Sequence, residues 1–136
     1  MNRLSGRISA VEVAGSIALV EVTVGTRRYT ATLVGVGDDI NAWRVDRPVT
    51  LLFKETEVSL AKNLSGLISM RNRIQAVVTG IERGQLLTKV LLDAEGHTIA
   101  SVITTKSSFT LQLEIGDEVE GLVKANEMGL IAEQGA

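Results

Sequence analysis

The sequence predicts an all-β protein with short helical turns, built as two small five-stranded barrels in tandem. Three observations carry that prediction. The chain is written nearly twice: "NRLSGRISAVEV" from Asn2 aligns with "NRIQAVVTGIER" from Asn72, and "LFKETEVSLA" from Leu52 with "LVKANEMGLI" from Leu122, both pairs 70 residues apart. Each copy reads as short runs rich in Val, Ile, Leu and Thr, bounded by glycine or other turn residues, which is how strands are written. A small antiparallel sheet removes its exposed edges best by closing on itself, and five strands closed in this way make an OB-like barrel.

In the first copy, Leu4, Ile8 and Val11 lead into "SIALVEVTV" and then "RRYTATLVG"; in the second, "RIQAVVTGI", "LLTKVLLDA" and "HTIASVITT" follow in the same order. Placing Gly15 over Gly84 takes a one-residue shift between the anchors. Gly25-Thr26 and Glu95-Gly96 read as the tips of hairpins. "TKSSFTLQLEIGDEV" alternates poorly, so Ser107 or Ser108 is expected to cap one helical turn before Gly116-Asp117 turns the chain into its last strands. The counterpart is "VGDDINAWRVDRPV", whose Pro48 stands at the start of a strand, where a missing N–H costs least. The expected division is a first unit over 1–62, a bridge over 63–68 and a second unit over 69–136, with "SLAKN" closing the first barrel as "GLIAE" closes the second.

Composition excludes several classes of function. With 136 residues, 45% hydrophobic and 22% charged, the chain has the make-up of a soluble globular protein. No apolar run approaches the roughly 20 residues of a bilayer span, and "MNRLSGRISAVEVAG" lacks the apolar core of a secretory signal. A cytoplasmic location without membrane insertion is expected. There is no cysteine and a single histidine, His97, which leaves no thiolate site and no histidine-based triad or metal cage. Asp38-Asp39 and Asp117-Glu118 are paired acids beside glycine, read as solvated turn residues, so no enzyme is expected. Net charge is −2 and only four aromatics occur, which argues against nucleic acid as a partner.

What remains is a set of donors. Ser69, Arg71 and Asn72 crowd the start of the second copy, and Lys124 interrupts an apolar run near its end. Lys124 on a solvated strand face, with Ser69 and Asn72 as turn residues, is one reading. The other is an oxyanion site: a tetrahedral dianion needs directed N–H and O–H donors and one or two cations, and Ser, Arg, Asn and Lys supply them without an acceptor-only group. The glycine-flanked "ERGQLLT" adds backbone N–H groups at close approach. Both readings stand on the residues alone.

Ser69-Met70-Arg71-Asn72 opening a unit, then "IERGQLLTKVLLD", "SVITTKS", "LEIGDEV" and the closing Val123-Lys124-Ala125, closely resemble the Mop, or molbindin, unit of the TOBE domains. The resemblance spans the second copy and, more loosely, the first. It implies two OB-like Mop/TOBE units in a homo-oligomer, a trimer or a dimer, that holds molybdate or tungstate at interfaces between units. No other cofactor and no free metal cation is implied. The binding residues it implies are Ser69, Arg71, Asn72, Lys124 and Ala125, with backbone from Gln85, Leu86, Leu87 and Thr88. The first copy departs from the pattern: no serine precedes Asn2 at the motif's spacing, Arg3 aligns with Arg73, and Glu55 stands where Ala125 stands. Lys54 does align with Lys124 and is an expected cross-unit contributor. The implied role is storage, buffering or sensing, with a molybdate importer or molybdenum-cofactor machinery as candidate partners. The alternative is a regulatory, dimerising TOBE domain of a molybdate importer's ATPase subunit; the chain itself has no Walker motif and no helix-turn-helix.

Overall fold

A computed structural model describes residues 1–35 and 41–133. Asp38-Asp39 lie outside the described residues. Ten strands and one helix run in the order β1 Asn2–Ala14, β2 Ile17–Val24, β3 Arg27–Val34, β4 Pro48–Phe53, β5 Ser59–Ala61, β6 Asn72–Arg83, β7 Leu87–Ala94, β8 His97–Thr104, α1 Thr105–Thr110, β9 Glu118–Val123 and β10 Gly129–Ala132. Single 3₁₀ turns, Glu55–Glu57 and Ala125–Glu127, precede β5 and β10. No helix among the described residues is long and apolar enough to cross a membrane.

The strands form two five-stranded antiparallel sheets, ordered β10-β4-β1-β2-β3 and β5-β9-β6-β7-β8. Every strand of the first copy starts 70 residues before its counterpart, and the bulges agree too, between Ile8 and Ala10 and between Val78 and Gly80. The expected one-residue shift is therefore not needed. Ala14 pairs with Ile17, and Gly84 donates its N–H to the Leu87 carbonyl at 2.8 Å, so Gly84 corresponds to Ala14 and Gln85 to Gly15. Glycine identity misled the alignment because one hairpin needs its positive φ at Gly15 (61°), while Gly84 answers to sterics: a Cβ there would lie 2.7 Å from the Leu87 carbonyl oxygen.

The compact units do not follow the repeats. Unit 1 consists of Met1, Arg3–Phe53 and the segment from Lys124, and unit 2 of Asn2 and Lys54–Val123. β5 pairs with β9 (Ser59 opposite Leu122), and β10 pairs with β4 (Gly129 opposite Leu52). "SLAKN" thus completes the second sheet and "GLIAE" the first, which corrects both the expected closure and the division at residue 62. Repeated sequences present repeated edges, so sequence pattern alone does not say which sheet a closing strand joins.

Within unit 1 the inward residues Leu4, Ile8, Val20, Val22, Val49, Leu51 and Phe53 are at most 2% exposed, and each contributes about 1.5–3 kcal/mol of burial. Unit 2 repeats this with Ile74, Val78, Val90, Leu92, Ile99 and Val123. Val58 is held there as well, since Ser101 donates its hydroxyl to the Val58 carbonyl at 2.7 Å. Both expected hairpins form, with Val24 opposite Arg27 and Ala94 opposite His97. Glu95 and Gly96 have φ of 51° and 88°, as a type I′ turn requires. The helical turn is α1, but its cap is Thr104, whose hydroxyl oxygen accepts from the Ser107 N–H at 3.1 Å. Ser107 is the third helical residue, and Ser108 is buried with its hydroxyl on the Thr105 carbonyl at 2.6 Å.

Candidate functional site

The opening motif sits where β6 begins. Ser69 and Arg71 are exposed just ahead of the strand, while Asn72 is its first residue, 1% exposed. Arg71 therefore directly precedes the strand. Asn72 lies opposite Val123, the last residue of β9. The next residue, Lys124, was expected inside that strand; instead β9 has ended, and Lys124 is the exposed N-cap of the 3₁₀ turn that begins with Ala125. The question of which strand face Lys124 occupies does not arise. Among the described residues, neither Arg71 nor Lys124 is engaged in an ion pair. Two uncommitted cations at strand ends are what a dianion requires.

Lys54 holds the equivalent cap position before Glu55–Glu57. Glu55, the acidic departure from the motif, is tied to Lys89 Nζ at 3.1 Å, and that contact lowers its carboxyl below the ordinary range. Its charge is thereby offset chiefly by Lys89.

Gln85 and Leu86 form the turn beyond the far end of the twelve-residue β6, and Leu87 and Thr88 open β7. At about 3.3 Å per residue that is roughly 35 Å of strand, so this turn and the opening motif of the same unit do not converge on one anion. Gln85, Leu86 and Leu87 are exposed, whereas Thr88 is fully buried with its hydroxyl 2.8 Å from that of Thr105. Thr105 also donates its hydroxyl to the Gly84 carbonyl at 2.9 Å and its N–H to the Leu86 carbonyl at 2.9 Å. Sequence reading missed Thr105, which fixes the turn's shape. The signal available was its place at the end of "SVITT", directly before the expected helical turn.

Two further clamps hold unit 2. Arg73 grips Glu120 with two bonds, Nε to Oε2 at 2.6 Å and Nη2 to Oε1 at 2.7 Å; this lowers the Glu120 carboxyl's pKa and raises that of the guanidinium. Lys62 Nζ reaches Asp117 Oδ2 at 2.9 Å and the carbonyls of Leu111 and Gln112. Asp117, expected as a solvated turn acid, also accepts the Glu114 N–H at 2.9 Å, and with Lys62 the dominant cause its pKa is lowered. His97 is exposed beside the hairpin tip. Among the described residues no group of three or more His, Cys, Asp or Glu side chains is placed to hold a metal ion.

Comparison with known proteins agrees with this architecture. A family model described as the TOBE domain matches residues 68–130. The chain is 32% identical over 123 residues to "Molybdenum import ATP-binding protein ModC" of Brucella abortus (strain 2308), a match covering 90% of this chain and 32% of that protein. It thus spans about a third of the length of these relatives. "Molybdenum-pterin-binding protein 2" of Clostridium pasteurianum is 32% identical over 66 residues, 48% of this chain and 97% of its own. The fold is that of the cytoplasmic molybdate-binding protein ModG, solved with molybdate bound: TM-score 0.91 and 24% identity, covering 97% of this chain and 96% of that one. With the strand repeat, the opening and closing motifs and these matches together, the chain belongs to the Mop, or molbindin, family of TOBE domains, as a two-unit member.

Proposed function

We propose that the chain binds molybdate or tungstate reversibly, through Ser69, Arg71 and Lys124, without catalysis and in the cytoplasm. The observation that carries this reading is the pairing of Asn72 with Val123, which brings the Ser69–Asn72 motif to the strand end that Lys124 follows. Two cations offset the dianion's charge, and charge-assisted bonds from Arg71, Lys124 and the Ser69 hydroxyl fix its position. The names of the Brucella and Clostridium relatives, both tied to molybdenum, support the choice of anion.

The exposed Gln85–Leu87 turn belongs in this scheme through a second copy. Since it stands at the opposite end of β6 from the motif, its backbone N–H groups complete the anion shell only if the turn of one copy faces the motif of another. The proposed assembly is therefore a homo-oligomer whose sites are shared. Lys54 and Ala125 are proposed as neighbours of the shell, and Thr88 as part of the turn's support.

Native mass spectrometry with molybdate, tungstate, sulfate and phosphate tests the reading. Retention of several molybdate or tungstate ions per oligomer is expected, weakened by Arg71→Ala and by Lys124→Ala. An assembly that retains neither group-6 oxyanion at micromolar concentration overturns it. Alignment of 90% of the chain with one third of an import ATPase favours a second reading, a regulatory domain that such a subunit carries, with the anion as effector. If the anion has been lost from that role, the same experiment shows oligomers without it.

A further inference from the structure

We propose that the outer face of unit 1 carries a second, separate site: a groove around Arg7 that accepts the carboxylate or phosphate group of a small organic anion. The groove has a volume of about 570 Å³ and is lined by Gly6, Arg7, Ser9, Thr23, Gly25 and Asp46, among others. That volume falls within the range of small-molecule sites and is far more than a bare tetrahedral oxyanion fills.

Arg7 is the cation that lines the groove, and the register sets a second arginine, Arg28, beside it. Arg7 on β1 lies opposite Thr23 on β2, which lies opposite Arg28 on β3, so the three side chains stand in one row on one face, the two arginine Cα atoms about 10 Å apart. Arg7 donates through Nη1 to the Asp46 carbonyl at 3.0 Å, which uses one of its five N–H groups and leaves the others for a ligand. Asp46 is held for this contact in a left-handed conformation, φ 73°, with its own N–H on the Ile8 carbonyl at 2.8 Å. Gly6 borders the groove by its backbone alone; a Cβ there would point inward, 2.4 Å from the Thr23 carbonyl oxygen and 2.9 Å from the buried Val22 and Val24 side chains.

Unit 2 is the internal control. Its corresponding row is Val77, Asp93 and Thr98, with no cation. Four residues before Val77, beyond Gln75 on the same face, comes Arg73, which Glu120 neutralises; unit 1 has Arg3 at that place and Thr50 in the position of Glu120. Among the described residues Arg28 is paired with Glu21, at 4.0 Å. The same backbone therefore carries two arginines in this row in one unit and none in the other. Asp46 also lines the groove, and its charge weakens the hold on an anion.

The test is a titration of the ¹⁵N-labelled full chain with AMP, a phosphate ester, and separately with succinate, a dicarboxylate, following the amides of Gly6, Ser9, Thr23 and Gly25. Saturable shifts at these amides with either probe, with Kd on the order of 1 mM, are expected. Arg7→Gln should weaken binding at least tenfold, Arg28→Gln severalfold, and Asp46→Asn should tighten it severalfold. Asparagine tolerates the left-handed backbone at position 46, which keeps that variant informative even if an arginine variant misfolds. Molybdate retention should be the same in all three. A response to AMP alone assigns the site to phosphate esters, and one to succinate alone to carboxylates. Absence of saturable shifts with both probes overturns the proposal, as do shifts that none of the three substitutions alters.

Discussion

Unit 1 and unit 2 share a backbone nearly position by position but are stabilised differently. Unit 1 fills the end of its fourth strand with Leu51 and Phe53, both buried; unit 2 has Gly121 and Val123 at those places. Unit 2 carries three close ion pairs, Arg73–Glu120, Lys62–Asp117 and Lys89–Glu55, while the Arg28–Glu21 pair of unit 1 is longer, at 4.0 Å. One fold thus tolerates two distributions of stabilising contacts, bulk inside or charge outside, provided the register and the bulge are kept.

The comparison is broken most severely through the core. Phe53→Ala is expected to cost about 3–5 kcal/mol, and Val123→Ala, at the matching place, about 2 kcal/mol. Amide hydrogen exchange of β1–β3 and of β6–β8 reads the two units separately, and equal losses would show the cores to be equivalent after all. Next in size is the cap lysine. Lys124→Ala should weaken molybdate binding about 10–100-fold, the equivalent of a charge-assisted contact of about 1.5–3 kcal/mol, while Lys54→Ala should change it less than about threefold. Calorimetric titration distinguishes them, and equal effects would mean that both copies carry the anion.

The smallest effect concerns acid. Glu55, Asp117 and Glu120 all have pKa values lowered by a lysine or arginine of unit 2. Their contribution to stability is complete above the usual carboxylate range, about pH 4, and is lost as pH falls through the lowered values. Exchange protection in unit 2 should therefore decline before that in unit 1 between about pH 4 and pH 2. If Arg73→Gln leaves that acid limb where it is, the Glu120 clamp plays no part in it.

Much of this was legible in the sequence, for reasons that are local. Strands announce themselves through alternation, and the Gly25-Thr26 and Glu95-Gly96 hairpins through residues that accept positive φ. Ser69, Arg71 and Lys124 stood out because polar donors interrupt apolar runs there. The illegible parts depended on choices between equivalent partners. Thr104 rather than Ser107 caps α1 because the cap is decided by where β8 stops, and "TTKSS" offers four hydroxyls to choose from. Asp117 looked solvated because its partner, Lys62, is 55 residues away. The far placement of Gln85–Thr88 follows from the length of β6, which the motif spacing did not reveal.

The crossing of β5 and β10 has a hereditary consequence. Val58, encoded in the first repeat, presses a methyl group to 3.3 Å from where a Gly121 side chain would begin, so the second sheet is cut to fit a strand that the first repeat supplies. Deleting either repeat would leave the survivor with the wrong closing strand. The two copies can therefore differ in surface and charge, while each sheet still depends on a closing strand from the other repeat.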